Sequence, residues 1–241
     1  VYKRQALERA GFVVFSQPLL VLEPPPELSP QQRSLLLDLD RFEHVIFISG
    51  NAVSYGMSLL GDYWPQLPVG LNWYAIGEAT ARLLEDYGVR AITPGGDMTS
   101  ESLLALPALQ HVEGQRVLLV KGEGGRQALH RELARRGGRV EELACYRRRC
   151  PQLEPGELGT RLSRWRPDYI MISSGEGLAN LLRLLSPEET TKLGRVSLLV
   201  PSGRIARQAE AAGFTQVSTA ENATDAAMLR ALEGLFRGSG E

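Results

Sequence analysis

The chain repeats itself. Residues 44–49 read HVIFIS, and residues 168–173 read DYIMIS, 124 residues later. Each is a short apolar run of strand type. Each is followed by turn formers, Gly50-Asn51 and Ser174-Gly175, and then by a helical pattern ending in Leu59-Leu60 or Leu184-Leu185. Residues 80–89 (TARLLEDYGV) match residues 205–214 (IARQAEAAGF) at a spacing of 125. Thr99-Ser100 opens a helix through Leu103-Leu104, and Thr224-Asp225 opens its counterpart through Met228-Leu229, again 125 residues on. Strand–turn–helix units resemble one another in general, but a spacing held over three blocks marks a duplication.

Each copy reads strand, turn, helix, strand, turn, helix, strand, capped helix. That alternation implies a parallel sheet covered by helices on both faces. Between the copies lie a strand at 116–120, a loop at 121–125, a helix at 126–136 ended by Gly137-Gly138, and a strand at 139–144. Pro24-Pro25-Pro26 follows a strand-like run at 19–22 and stops both helices and central strands. The charged stretch CYRRRCP (145–151) precedes the second copy. The expected fold is α/β: two similar doubly wound parallel-sheet domains joined by a two-segment linker. The inserted domain spans 27–145, the discontinuous domain takes 1–20 plus 151–241, and the linkers are about 21–26 and 146–150. Two crossing segments make a hinge, and the cleft between the lobes is the expected ligand site. The chain does not begin with Met and residues 4–10 read as the end of a helix, so an opening strand of the discontinuous domain is expected to be absent.

Composition narrows the function. Hydrophobic residues at 43% can fill two cores, and a net charge of −1 excludes a global nucleic-acid footprint. No apolar run approaches the roughly 18–20 residues of a membrane span. The polar start, Val1 to Gln5, lacks a signal pattern. Cys145 and Cys150 form neither a disulfide framework nor a zinc spacing, and read as packing residues. The cytoplasm is the expected compartment. His44, His111 and His130 fall at a strand start, in a loop and in a helix, without metal spacing; His44 reads as a solvated strand edge. GxxxxGK[ST] and GxGxxG are both absent. No metal or organic cofactor is expected.

In parallel α/β sheets, ligands bind beyond the carboxyl ends of the strands. In the first copy those ends carry Ser49-Gly50-Asn51, then Gly77-Glu78-Ala79-Thr80, and after the next strand Lys121-Gly122-Glu123-Gly124-Gly125. In the second copy the matching places hold Ser173-Ser174-Gly175 and Pro201-Ser202-Gly203. Small residues there let the backbone approach a ligand, and the free N–H groups of the following helix attract anions. Taken singly, each turn is also an ordinary cap. Their convergence selects Ser49, Asn51, Gly77, Thr80, Lys121, Gly122, Ser173, Ser174 and Ser202 as binding residues for a ligand bearing several carboxylates or phosphates. Lys121 and its glycines also read as a solvated turn. Tyr146, flanked by Arg147, Arg148 and Arg149, can present a phenol at the hinge.

These residues together resemble the uroporphyrinogen-III synthases over nearly the whole chain. The motifs that carry the resemblance are FISGNAV (47–53), AIGEATARLL (75–84), LLVKGEGGR with Leu129, and the Gly-Gly-x-Val…Cys-Tyr-Arg stretch at 137–147. The resemblance implies two doubly wound domains with a two-stranded linker. It also implies a lyase of tetrapyrrole and heme biosynthesis that converts hydroxymethylbilane to uroporphyrinogen III without a cofactor. In that reaction water leaves, the last pyrrole ring is inverted through a spirocyclic intermediate, and the macrocycle closes. A monomer that meets hydroxymethylbilane synthase transiently is the implied assembly. Tyr146 matches the family's linker tyrosine, proposed to help the hydroxyl leave. Thr80 matches a cleft threonine, and Ser49 and Ser173 match the strand-end serines. Ser202 stands where the family usually has the Gly of an Ile-Gly-x-x-Thr turn, and Ile205 replaces a hydroxyl residue, which leaves mainly backbone N–H groups there. The family's opening strand, which often ends in an Arg-Pro turn, is absent. Two alternatives remain open from the residues alone. One is a bilobed binding or sensor module for an anionic metabolite or tetrapyrrole, which would bind without turnover. The other is a fused domain of a larger tetrapyrrole-pathway protein.

Overall fold

The computed structural model describes residues 2–95, 99–125 and 127–238. In chain order they form α1 (Tyr2–Arg9), β1 (Val21–Glu23), α2 (Pro30–Leu37), β2 (His44–Phe47), α3 (Gly50–Tyr63), β3 (Asn72–Ala75) and α4 (Glu78–Glu85). Then come α5 (Ser100–Leu104), α6 (Pro107–Gln110), β4 (Arg116–Gly122), α7 (Ala128–Arg135) and β5 (Arg139–Arg149). The last third holds α8 (Glu157–Trp165), β6 (Tyr169–Met171), α9 (Gly175–Leu184), α10 (Pro187–Leu193), β7 (Ser197–Val200), α11 (Gly203–Ala211), β8 (Val217–Thr219) and α12 (Asp225–Gly238). Arg126, the expected first residue of the helix after the Gly-rich loop, lies outside the described residues.

The chain divides into two compact units: an inserted one, Leu22–Arg149, and a discontinuous one, Val1–Val21 with Cys150–Glu241. The inserted unit has a five-stranded sheet in the order β1-β5-β4-β2-β3. Its pairs β2–β3, β2–β4 and β4–β5 are parallel. Strand side chains alternate between faces. Val45, Phe47, Leu118 and Val120 therefore bury against Ala52, Val53, Met57, Leu60 and Leu84 of α3 and α4. Ile46, Val117 and Leu119 bury on the other face against Leu103, Leu109, Leu129 and Leu133. The discontinuous unit has the sheet order β6-β7-β8, also parallel. One of its cores joins Ile172, Leu198 and Val200 to α8, α9 and α11, and the other joins Leu199 to Leu7 of α1 and to Met228 and Leu232 of α12. Both units are doubly wound.

One register, 125 residues, relates the strand–turn–helix blocks of the two copies. It relates Gly50 to Gly175 at the first residue of α3 and α9, Asn72 to Ser197 at the start of β3 and β7, and Glu78 to Gly203 at the start of α4 and α11. It also relates Thr99 to Thr224, whose hydroxyls accept from the N–H groups of Ser102 and Ala227. The 124-residue match of the first block is a slip of one. HVIFIS and DYIMIS share hydropathy, but the cap geometry fixes the alignment. Ser49 and Ser174 are the N-caps, so the counterpart of Ser49 is Ser174 and not Ser173. The third strand of the first copy shrinks to one bridge, Tyr74 with Ile92.

The duplication extends to α1 and α7. Phe12 N–H donates to the Leu7 carbonyl as Gly138 N–H donates to that of Leu133, and Gly11 and Gly137 both turn the chain with positive φ, 91° and 83°. In the inserted unit β2 has β4 beside it, whereas among the described residues β6 is a sheet edge.

Two expectations need correction. The strand expected to stop at residue 144 continues to Arg149, and β1 pairs beside it. Glu23 Oε1 takes Arg147 at 2.7 Å and Arg149 at 3.6 Å, so charges of the two expected linker segments are matched across the strand pair. His44 is not a solvated edge. Strand β2 is central, and His44 is buried with its ring nitrogens 3.1 Å from Tyr74 Oη and 2.8 Å from Gln115 Oε1.

Candidate functional site

Parallel pairing brings the carboxyl ends of β2, β3, β4 and β5 to one edge of the inserted sheet: Phe47 lies opposite Ala75 and Val120, and Gly122 lies opposite Tyr146. The turns that carry Ser49, Gly77 and Gly122 therefore share that edge with Tyr146. Ser49 and Gly77 are extended N-caps with φ −168° each. The N–H of Ala52 donates to Ser49 Oγ at 3.1 Å. Asn51, in the first turn of α3, is exposed. Thr80, in the first turn of α4, is 6% exposed. Its hydroxyl has no protein hydrogen-bond partner among the described residues, and it is not a buried orphan, so it opens to solvent.

Tyr146 owes its aim to a β-bulge. Lys121 pairs with Ala144, but Gly122 pairs with Tyr146, leaving Cys145 as the extra residue. Regular alternation would turn Cys145 and Tyr146 to opposite faces. The bulge puts both in the core that α3 covers, at 0% and 7% exposure. The Tyr146 ring packs against Gly122: a Cβ there would meet Cζ at 2.5 Å and the phenolic oxygen at 2.9 Å. On another side the Tyr55 ring is 5.4 Å away, centroid to centroid. Tyr55 itself is anchored by donating its hydroxyl to the Leu22 carbonyl at 2.9 Å. Tyr146 Oη reaches Ser49 Oγ at 3.5 Å, the outer limit of a hydrogen bond. Tyr55 escapes sequence reasoning, because a tyrosine inside a helical pattern carries no local mark of what it touches.

Lys121 does not join this group. It points to the opposite face of β4, where its Nζ is 3.0 Å from Glu142 Oε2 and almost fully buried. His130 Nδ1 holds the other oxygen of Glu142 at 3.1 Å. Burial pushes the Glu142 carboxyl up, but hydrogen bonds from Lys121, His130 and Gln127 and the charge of Lys121 outweigh it and leave it below the usual range. The expectation of Lys121 as an anion contact thus gives way to a structural ion pair; among the described residues the loop offers an anion backbone, at Gly122 and the positive-φ Gly124 and Gly125. Cys145 is buried against the carbonyls of Ala52 and Lys121, and desolvation pushes its thiol up to about 12. It is a packing residue.

In the discontinuous unit, Ser174 and Ser202 stand at the carboxyl ends of β6 and β7 as extended N-caps of α9 and α11, with φ −156° and −165°. Gly177 N–H donates to Ser174 Oγ at 3.0 Å, whereas Ser202 makes no side-chain cap bond. Ser173 is exposed one residue before the cap. Ile205, in the place of Thr80, is buried.

A concavity of about 500 Å³ in this unit lies between α8 and α10 and includes Leu162, Arg166, Lys192 and Val196. It sits at the amino ends of β6 and β7 and contains none of the turns above, so the carboxyl edge remains the better site on chemical grounds. Among the described residues no group of three or more His, Cys, Asp and Glu side chains is placed to hold a metal ion, and no helix is long and apolar enough to cross a membrane.

Comparison with known proteins gives the family and the fold. The family model described as Uroporphyrinogen-III synthase HemD matches residues 3–230. The uroporphyrinogen-III synthase of Escherichia coli (strain K12) is 33% identical over 233 residues, covering 94% of this chain and 93% of that protein. Its counterpart in Salmonella typhimurium is 34% identical with the same coverage. Among solved structures, the uroporphyrinogen-III synthetase of Helicobacter pylori 26695 has a TM-score of 0.58 at 17% identity, covering 90% of this chain and 91% of its own. A mutant uroporphyrinogen III synthase from the extremely thermophilic bacterium Thermus thermophilus has a TM-score of 0.54 at 23% identity, covering 98% and 94%. Both share the fold. The chain belongs to the uroporphyrinogen-III synthase family.

Proposed function

We propose that this chain cyclises hydroxymethylbilane to uroporphyrinogen III as a cofactor-independent lyase. The observation that carries the reading is the Tyr146 phenol, turned by a bulge onto Gly122 at the carboxyl edge of the sheet beside the capping Ser49. In the first step the C–O bond of the hydroxymethyl group breaks. Its electron pair leaves with oxygen, Tyr146 Oη supplies a hydrogen bond or proton, and water departs. The pyrrole nitrogens spread the remaining positive charge, so the substrate itself provides the electron source. The last ring then attacks through its substituted carbon, rearranges and closes. The proton lost from a ring carbon restores the phenol, so the overall change is loss of one water.

Eight carboxylates on the substrate require donors more than bases. The first-turn N–H groups at Ser49, Gly77, Ser174 and Ser202 suit them, as do the open hydroxyls of Thr80 and Ser202. Holding a flexible chain in one fold can contribute several kcal/mol, each 1.36 kcal/mol being about tenfold in rate. The same reading carries a monomer and a transient handover from hydroxymethylbilane synthase, which would shorten the life of a substrate that also cyclises spontaneously. Turnover is the test. Enzyme at about one-hundredth of the bilane concentration should consume it all, faster than the uncatalysed reaction. Binding of one equivalent with no acceleration would instead mark a tetrapyrrole-binding module.

A further inference from the structure

The duplicated units treat the same glycine differently. In the inserted unit, Leu83 of α4 covers Gly50: its Cδ1 lies 2.8 Å from where a Cβ on Gly50 would be. The 125-residue register relates Gly50 to Gly175 and Leu83 to Gln208. Over Gly175 the cover is polar. Arg204 Nη2 and Gln208 Oε1 each lie 3.6 Å from its Cβ position, and Arg204 Nη1 lies at 3.7 Å. Arg204 stands where α4 has Ala79, so the guanidinium has no equivalent in the other copy. Arg204 and Gln208 are one helical turn apart, both exposed, and Arg204 has no carboxylate partner among the described residues. The hydroxyl that Thr80 offers in the inserted unit is missing here, since Ile205 is buried in the core.

We propose that Arg204, assisted by Gln208 and Ser202, binds a substrate carboxylate at the carboxyl edge of the discontinuous unit, in place of the hydroxyl that Ile205 cannot offer. An arginine fork meets a carboxylate through two parallel N–H bonds, which a threonine cannot do. The guanidinium stands over the first turn of α9, at ordinary contact distance from the Cβ position of Gly175. The Ser202 hydroxyl, uncommitted to its own helix, is available to the same ligand. The two edges differ in chemistry. Leu83, Tyr55 and Tyr146 give the inserted unit an apolar and aromatic edge suited to pyrrole rings, and Arg204 gives the discontinuous unit a cationic edge suited to their acid side chains.

The inference rests on the proposed activity, so its test separates the two. Steady-state formation of uroporphyrinogen III is measured for wild type, Arg204→Ala, Arg204→Lys and, as a control at an exposed position away from this edge, Arg195→Ala. Removing one charge-assisted hydrogen-bond pair should raise KM by about tenfold in Arg204→Ala and leave kcat within about threefold. Arg204→Lys should recover part of the affinity, and Arg195→Ala should match wild type. With an active wild type, an unchanged KM in Arg204→Ala overturns the proposal. Direct titration with uroporphyrin, a stable octacarboxylate, gives a second reading. A wild type without turnover that still binds uroporphyrin about tenfold more tightly than Arg204→Ala would keep the site and reject the activity. Equal binding by the two would reject the site.

Discussion

Gly122 and Tyr146 are paired residues of adjacent strands, and the ring of one occupies the space a side chain on the other would need. A Cβ at 122 would meet Tyr146 Cε2 at 2.6 Å and Cζ at 2.5 Å, distances no real contact shows. Gly122→Ala must therefore displace the phenol from the sheet edge. Overpacking of this kind costs about 1–3 kcal/mol, which a folded domain can survive. The expected result is a modest fall in Tm with a fall in kcat of about tenfold or more. A variant with wild-type kcat would mean that the position of the phenol is immaterial.

Removing the hydroxyl alone separates chemistry from packing. Tyr146→Phe keeps the ring against Gly122 and Tyr55 and should keep Tm within about a degree or two. A positioned acid contributes about a hundredfold or more to a proton-transfer step. Single-turnover rates should fall by that order with KM little changed. Full rate in this variant would reduce Tyr146 to a positioning surface.

The Lys121–Glu142 pair predicts a stability effect with a sign. The Glu142 carboxyl is held below its unfolded value, so its contribution is present above the unfolded carboxylate pKa and is lost as pH falls through the folded one. Lys121→Met should cost about 1–2 kcal/mol at pH 7, since Glu142 remains a quarter exposed. Denaturant titrations at pH 7 and at pH 3 should show the difference between variant and wild type shrinking in acid. KM for the bilane should stay within about twofold, because the ammonium faces away from the Tyr146 edge. A large rise in KM with unchanged stability would return Lys121 to the binding residues.

Two cysteines should behave unlike each other. The Cys145 thiol, pushed up to about 12 by burial, should resist iodoacetamide in the native protein at pH 8, while the half-buried Cys150 reacts. The raised thiol favours the folded state below its unfolded pKa, and that share of stability is lost as pH climbs from about 9 toward 12. Native mass mapping of alkylated peptides checks the first point. Rapid labelling of Cys145 would contradict its packing.

The duplication was legible because short apolar runs and hydroxyl caps recur, and those are local signals. What escaped was set by pairing between distant segments. The one-residue slip at Ser173 arose because hydropathy alone cannot tell the last strand residue from the cap; the bond from Gly177 N–H to Ser174 decides it. Strand β5 looked as if it ended at residue 144, ahead of the charged stretch, because Glu23, the partner of its arginines, lies 124 residues away from Arg147. A bulge opposite Gly122 has no sequence mark, yet it aims Tyr146. His44 looked exposed at the start of a run, but the crossover that places β4 beside β2 makes that strand central. Motif resemblance found Tyr146; it took the register of β4 against β5 to show what holds the phenol in place.

The central claim is that this chain directs ring closure to one isomer. Freshly prepared hydroxymethylbilane, incubated with the protein and oxidised to the porphyrin, should yield the type III isomer almost entirely, with type I confined to the spontaneous background. Type I alone, at the rate seen without protein, would contradict the account.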